Sequence, residues 1–194
     1  SVLPGTGPDA GAPLAAHDRV GALSFTGSTA TGRQILAAAA GSNFKKVSLE
    51  MGGKSPQVLW SDALQHGEEL VDHLLDAAFL SMGQNCTAGS RILVHRDVLD
   101  EVTARFVERA EQLRVGAPSD PQTQVGPLVS RTALDRVTGL VDRAVAGGAT
   151  VLAGGGPHDL ASTGGYYFAP TVLTGVEAGS EIEQTEVFGP VVTI

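Results

Sequence analysis

The sequence predicts an α/β fold with a parallel or mostly parallel sheet and helical crossovers. Two observations lead to that expectation. Apolar residues alternate along the chain between short strand-like runs and longer stretches with helical spacing. Packing rests on small aliphatic residues: 42% of the 194 residues are hydrophobic, only 5% are aromatic, and 25 are glycine. A mean hydropathy of +0.10 leaves enough apolar surface for a sizeable core. The length suits one large domain or parts of two.

Ala22 to Phe25 reads as a short strand stopped by Thr26-Gly27. A helix follows from Ser28 to Ala40, with Ile35, Leu36 and Ala39 on its inner face and Gly41 as its stop. Val47 to Met51 and Gln57 to Trp60 are strand-like, separated by the Gly52-Gly53 turn. Glu68 to Leu80 carries Leu70, Val71, Leu74, Leu75, Ala78 and Phe79 as one wide helical stripe. Arg91 to His95 is a strand, and Asp97 is expected to cap a helix through Leu113 that turns Leu99, Val102, Phe106 and Ala110 inward. Ser130 opens another helix, apolar at Leu134, Val137, Leu140, Val141 and Val145 and ended by Gly147-Gly148. Thr150 to Ala153 and Thr171 to Leu173 are further strands. Val2-Leu3 and Val191 to Ile194 keep apolar structure running to both ends, as expected of a piece of a longer chain.

Charge narrows the partners. There are 21 acidic against 13 basic residues, a formal net charge of −8. The basic stripe that a phosphate backbone requires is missing, so neither nucleic acid nor an anionic membrane is an expected partner. No apolar run approaches the roughly 20 residues that span a bilayer, and no signal-peptide pattern opens the chain. One cysteine cannot form an internal disulfide, which fits a reducing, cytoplasmic setting. The five histidines do not fall at metal-ligand spacings, so no metal is expected.

Five stretches stand out chemically. In Ser24 to Gly32 a strand ends in Gly27, small hydroxyl residues follow, and a helix begins. Such a turn offers backbone N–H groups and a positive helix end to a pyrophosphate, or it is an ordinary strand-to-helix turn. Pro4 to Gly11 is a second glycine-rich entry to a helix; neither stretch fits GxGxxG. Cys86 lies in Gly83-Gln84-Asn85-Cys86-Thr87-Ala88-Gly89, between a helix and a strand. A lone cysteine is more often a small core residue, but these neighbours are small, polar and glycine-flanked. A loop of this kind exposes sulfur and brings N–H donors that favour a thiolate and hold an oxyanion. Glu50 ends an apolar strand beside Gly52-Gly53. It is either a solvated strand end or a semi-buried general base made more basic by desolvation. Glu186, before Val187-Phe188-Gly189-Pro190, is open to the same two readings.

In this order, the motifs closely resemble those of the aldehyde dehydrogenase superfamily. The matching segments are Pro4-Gly5-Thr6-Gly7, Phe25 to Thr29 with Gly32, Leu49-Glu50-Met51-Gly52-Gly53-Lys54-Ser55-Pro56, Gly83 to Cys86, Gly126-Pro127, Gly165-Tyr166-Tyr167 with Pro170-Thr171, and Glu186 to Pro190. The resemblance covers the whole chain. It implies that residues 1–49 are the C-terminal part of a Rossmann-like NAD(P)-binding domain. Residues 50–194 would then be most of an α/β catalytic domain, incomplete at its C-terminus.

The resemblance also implies roles. Gly7 and Pro8 would lie near the adenosine of NAD or NADP, and Gly27, Ser28, Thr29 and Gly32 along its pyrophosphate, with Met51 also on the cofactor. Glu186 would bind the nicotinamide ribose and Phe188 would pack against the nicotinamide. Cys86 would attack the aldehyde and pass through a thiohemiacetal and a thioester. Glu50 would activate the water that releases the acid. Branches that transfer the acyl group to coenzyme A generally lack this glutamate, so Glu50 favours water. The alternatives are a non-catalytic fragment or binding module keeping the motifs by descent, and a coenzyme A-acylating relative. Met82 to Cys86 is similar to branches acting on ω-amino or guanidino aldehydes, with Leu80, Met82, Asn85 and Thr87 placed to line the inner substrate tunnel. The oxyanion-hole asparagine, the cofactor-selecting residues and the oligomerisation strand would lie outside these residues. The isolated chain is therefore expected to be inactive, and its parent enzyme a homodimer or homotetramer.

Overall fold

A computed structural model describes residues 1–194, which form two compact units, Ser1–Gly52 and Gly53–Ile194. The first unit runs through Gly52, because Glu50 and Met51 still pair with Thr26 and Gly27 as the end of a strand.

The first unit is a βαβ arrangement. A π-type turn, Gly7–Gly11, leads into α1 (Ala12–Ala16). Strand β1 (Ala22–Gly27) is followed by α2 (Thr29–Ala40) and then β2 (Lys46–Met51), which lies parallel to β1. A parallel pair needs such a crossover, because a tight turn returns the chain antiparallel. Polar groups tie the unit together: the Lys45 ammonium, itself buried, donates to the Ala15 carbonyl (2.6 Å) and to Ser42 Oγ (2.7 Å). On α2, Ala39 is buried as expected but Leu36 is exposed. Adjacent helical residues diverge by about 100°, which turns Leu36 away from the side that Ile35 and Ala39 share.

The second unit holds the core. Its sheet has the order β3-β4-β7-β6-β5, formed by Pro56–Leu59, Arg91–Val94, Val191–Thr193, Thr171–Thr174 and Thr150–Ala153. All neighbours run parallel except β5 and β6. Helices α3 (Gly67–Phe79) and α4 (Leu99–Glu111) supply Val71, Leu74, Phe79, Val102 and Phe106 to one apolar cluster. Helix α5 (Arg131–Ala146) supplies Leu134, Val137, Leu140 and Val141 to a second. Val172 and Val192 join the first cluster, while their chain neighbours Leu173 and Val191 join the second. The period of two along a strand thus buries both sheet faces, which is why these strands read as unbroken apolar runs. The Phe79 and Phe106 rings stack with centroids 5.9 Å apart.

Three local expectations change. Asp97 does not cap α4: the His95 ring accepts the Asp97 N–H (3.3 Å), and a 3-10 turn, Arg96–Val98, precedes the helix. Leu99 and Val145 are exposed because each sits at a helix end, beyond the sheet's cover. Ser130 does cap α5, accepting the Ala133 N–H (3.1 Å).

Candidate functional site

The first unit holds an open cavity of about 600 Å³, which two of the residues singled out for a dinucleotide line and which Gly27, Ser28, Thr29, Gly32 and Met51 do not. Gly7 and Pro8 line it, with Ala15, Phe25, Thr31 and Ile35. A Cβ at Gly7 would meet nothing within 4 Å, so packing does not demand glycine there; its effect is to leave backbone bare beside the cavity. Thr6 shapes the turn, with its hydroxyl donating to the Asp9 carboxylate (2.6 Å) and accepting the Asp9 N–H (3.3 Å).

Gly27 is the last residue of β1, and a Cβ there would stand 2.5 Å from Phe25 Cζ. Ser28 then caps α2, its Oγ accepting the Thr31 N–H (3.2 Å) while Thr29 starts the helix. Gly32 is buried, and a Cβ on it would approach Met51 Sδ to 2.7 Å. The glycine thus lets the first turn of α2 pack on the end of β2. Of the two readings of Glu50, one residue earlier on β2, the exposed strand end is the one found. It sits opposite Thr26 near the strand's open end, where nothing in the unit covers it.

In the second unit Cys86 is exposed on a loop clamped at both ends. After α3 the backbone turns left-handed at Ser81 (φ 53°), Met82 (φ 58°) and Gly83 (φ 64°). A Cβ at Gly83 would lie 2.2 Å from the Gly189 carbonyl oxygen, which no rotamer change can relieve. Gln84 Oε1 accepts the Val129 N–H (3.0 Å). At the other end the Gly89 N–H donates to the Ala77 carbonyl (2.8 Å), and Gln57 Nε2 donates to the Gly89 carbonyl (2.8 Å). Between the clamps, Asn85 Oδ1 accepts the Thr87 N–H (3.1 Å) and the Thr87 hydroxyl (3.0 Å), with Cys86 Sγ 3.8 Å away. The Cys86 amide donates to no acceptor in the chain.

Glu186 and Phe188 belong to the segment on which Gly83 rests. Val187 is buried, Phe188 is 37% exposed at φ 51°, and Glu186 Oε1 is buried without a hydrogen-bond partner. Arg136 of α5 fixes the backbone, donating to the Glu186 carbonyl (3.0 Å) and to that of Val187. Replacing Gly83 by alanine would force a side chain against that segment and into a left-handed backbone. We expect a loss of about 2 kcal/mol or more, measurable as a lowered unfolding midpoint of the full-length protein; an unchanged midpoint would contradict the close approach.

Two contributors escaped the sequence reading. Arg136 grips a segment fifty residues further on, and no local pattern announces that contact. Lys54 was visible only as part of the Gly52 to Pro56 motif. A lysine between glycines and a strand was the available signal.

Comparison with known proteins agrees with this architecture. The aldehyde dehydrogenase family model matches residues 1–194. An aldehyde dehydrogenase of Emericella nidulans is 44% identical over 198 residues, covering 100% of this chain and 38% of that protein. The human mitochondrial aldehyde dehydrogenase is 43% identical over 194 residues, covering 100% of this chain and 37% of its own length. Among solved structures, the Staphylococcus aureus betaine aldehyde dehydrogenase in complex with NAD+ superposes with a TM-score of 0.92 at 37% identity, over 97% of this chain and 37% of that one. PnpE in complex with nicotinamide adenine dinucleotide gives 0.94 at 44% identity, over 99% and 39%. The α/β fold with parallel-dominated sheets is thus that of these enzymes, and the chain belongs to the aldehyde dehydrogenase family. It spans a little over a third of its relatives' length.

Proposed function

We propose that the full-length enzyme oxidises an aldehyde to a carboxylic acid with NAD+ or NADP+, through a covalent intermediate on Cys86. The observation that most supports this is an exposed thiol on a loop clamped at both ends, in a chain of this family. We assign residues 1–49 to the cofactor-binding domain and 50–194 to the catalytic domain.

The residues present suit the cofactor. A cavity of about 600 Å³ lies within the range of small-molecule sites, and its apolar walls and bare Gly7 backbone suit an adenine ring. Ser28, Thr29 and the N-terminus of α2 suit a pyrophosphate, with Gly27, Gly32 and Met51 shaping the approach. The orphaned Glu186 oxygen is an acceptor for ribose hydroxyls, and the half-exposed Phe188 ring offers an apolar face to the nicotinamide. When bound, the dinucleotide supplies the acceptor for the hydrogen and electron pair that the aldehyde carbon loses.

The chain's own groups do the rest. Cys86 Sγ, as thiolate, adds to the carbonyl carbon and forms a thiohemiacetal. The free Cys86 amide is available to the developing oxyanion. Once the carbon is oxidised, the product on Cys86 is a thioester. Glu50 takes a proton from water, whose oxygen attacks that carbonyl. The C–S bond breaks, the thiolate returns, and the acid leaves. Exposure gives Glu50 ready access to water.

The single cysteine fits a reducing compartment such as the cytoplasm, although several relatives are described as mitochondrial. No helix is long and apolar enough to cross a membrane. We expect a homodimer or homotetramer.

Incubating the full-length enzyme with NAD+ or NADP+ and a panel of aldehydes tests the reading. Betaine aldehyde, ω-amino, guanidino and simple aliphatic aldehydes belong in that panel. Acid should form in step with reduced nicotinamide. Nicotinamide left oxidised with every aldehyde, or reduction without acid, would contradict it.

A further inference from the structure

Lys54 stands just before β3 and is tied into a charged network reaching the Glu186 segment. Its carbonyl accepts Arg91 Nε–H (3.0 Å), and Arg91 pairs in turn with Glu183 (3.0 Å). Glu183 also accepts the Gly179 N–H (3.0 Å) and the Gln184 side-chain amide. These contacts, with the Arg136 grip on the Glu186 and Val187 carbonyls, satisfy every charged group of the network except two. The Lys54 ammonium nitrogen and Glu186 Oε1 are each buried with no hydrogen-bond partner.

A buried charge without a partner is costly and is seldom retained without a use. Burial, and after it the Arg91 guanidinium, pulls the Lys54 ammonium down to about 8, while the Glu183 and Glu186 carboxylates pull it back up. Lys54 and Glu186 are therefore close enough to sense each other's charge without being spent on a direct bond. Glu183 is already committed to Arg91 and Gly179, which leaves Glu186 as the carboxylate for Lys54 to orient.

We infer that Lys54 is a positioning residue, the fixed positive charge that aims the Glu186 carboxylate at the ribose hydroxyls of the dinucleotide. The inference rests on the proposed role of Glu186. Lys54 need not touch the ribose. Its charge orients Glu186, so that the carboxylate is presented as an acceptor.

The sign of the pH response follows. Lys54 is charged below about pH 8 and loses its charge as pH rises through that value. Cofactor affinity should weaken over that interval. The groups facing Lys54 are Arg91 on β4, Glu183 on the short helix Glu181–Gln184, and Glu186 beyond it. Glu183, held below the usual carboxylate range first by the Gly179 N–H and then by the Gln184 amide, stays charged through this interval.

The experiment is calorimetric titration of NAD+ into full-length wild type, Lys54→Met and Lys54→Arg between pH 7 and pH 9, with melting temperatures of each. Lys54→Met should bind NAD+ roughly 10- to 100-fold more weakly, without the pH dependence and without a lower melting temperature. An apolar side chain relieves the burial of a charge, so stability should hold. Lys54→Arg should restore binding to within a few-fold and keep it through pH 9. Unchanged NAD+ affinity in Lys54→Met would overturn the proposal. So would a lowered melting temperature with lost binding in both variants, since Lys54 would then serve folding. If Glu186→Gln leaves wild-type NAD+ affinity intact, the reading of Glu186 itself fails instead.

Discussion

Cys86→Ala in the full-length enzyme should lower aldehyde oxidation by about 10⁴-fold or more, the scale on which removal of a covalent nucleophile acts. Binding of NAD+ should be nearly unchanged, because the cavity and the Glu186 segment do not include the sulfur. The protein should also stay folded. Cys86 is exposed and makes no contact on which the core depends; Gly83, Gln84 and Gly89 clamp the loop independently of it. Rate measurement with a cofactor-binding control checks this. Aldehyde oxidation that survives the substitution would remove the thiol from the mechanism.

Glu50→Gln should act later in the cycle. The amide cannot accept a proton from water, so thioester formation should proceed while its hydrolysis slows by roughly 10²- to 10⁴-fold. The expected signature is a rapid burst of reduced nicotinamide, near one equivalent per active site, followed by slow turnover. Loss of the burst together with turnover would give Glu50 a role before the thioester. Unaltered acid release would point to another base, or to a different acyl acceptor such as coenzyme A.

Much of the fold was legible because local periodicity and tertiary burial agree. Val71, Leu74 and Phe79 on α3, and Val137 and Val141 on α5, point where helical spacing sends them. The starts of α2 and α5, at Ser28 and Ser130, were also legible within a residue of the observed caps. At α4 the expected cap, Asp97, is drawn instead into a 3-10 turn capped by the His95 ring, and no side chain caps the helix. Strand partners were less visible. β2 and β3 are separated only by a short glycine-containing turn yet lie in different sheets, and β5 runs antiparallel in an otherwise parallel one. Pairing depends on chain segments far apart, and local pattern does not encode it.

The candidate site shows the same division. Cys86, Glu50 and the glycine turns announced themselves by residue type and neighbours, and became a coherent set through the resemblance. For Glu50 the sequence left a solvated strand end and a semi-buried base both open, since burial is a property of what surrounds a strand end; the carboxylate is exposed. Arg136 carries no such local mark, because it meets the Glu186 segment only once the chain is folded.

The central claim is covalent catalysis on Cys86 with release by Glu50. Its most direct test is mass spectrometry of the Glu50→Gln enzyme, quenched during turnover with aldehyde and NAD+. The account predicts the peptide containing Cys86 heavier by the acyl group, in an amount matching the burst of reduced nicotinamide. Reduced nicotinamide formed with the Cys86 peptide unmodified would contradict it.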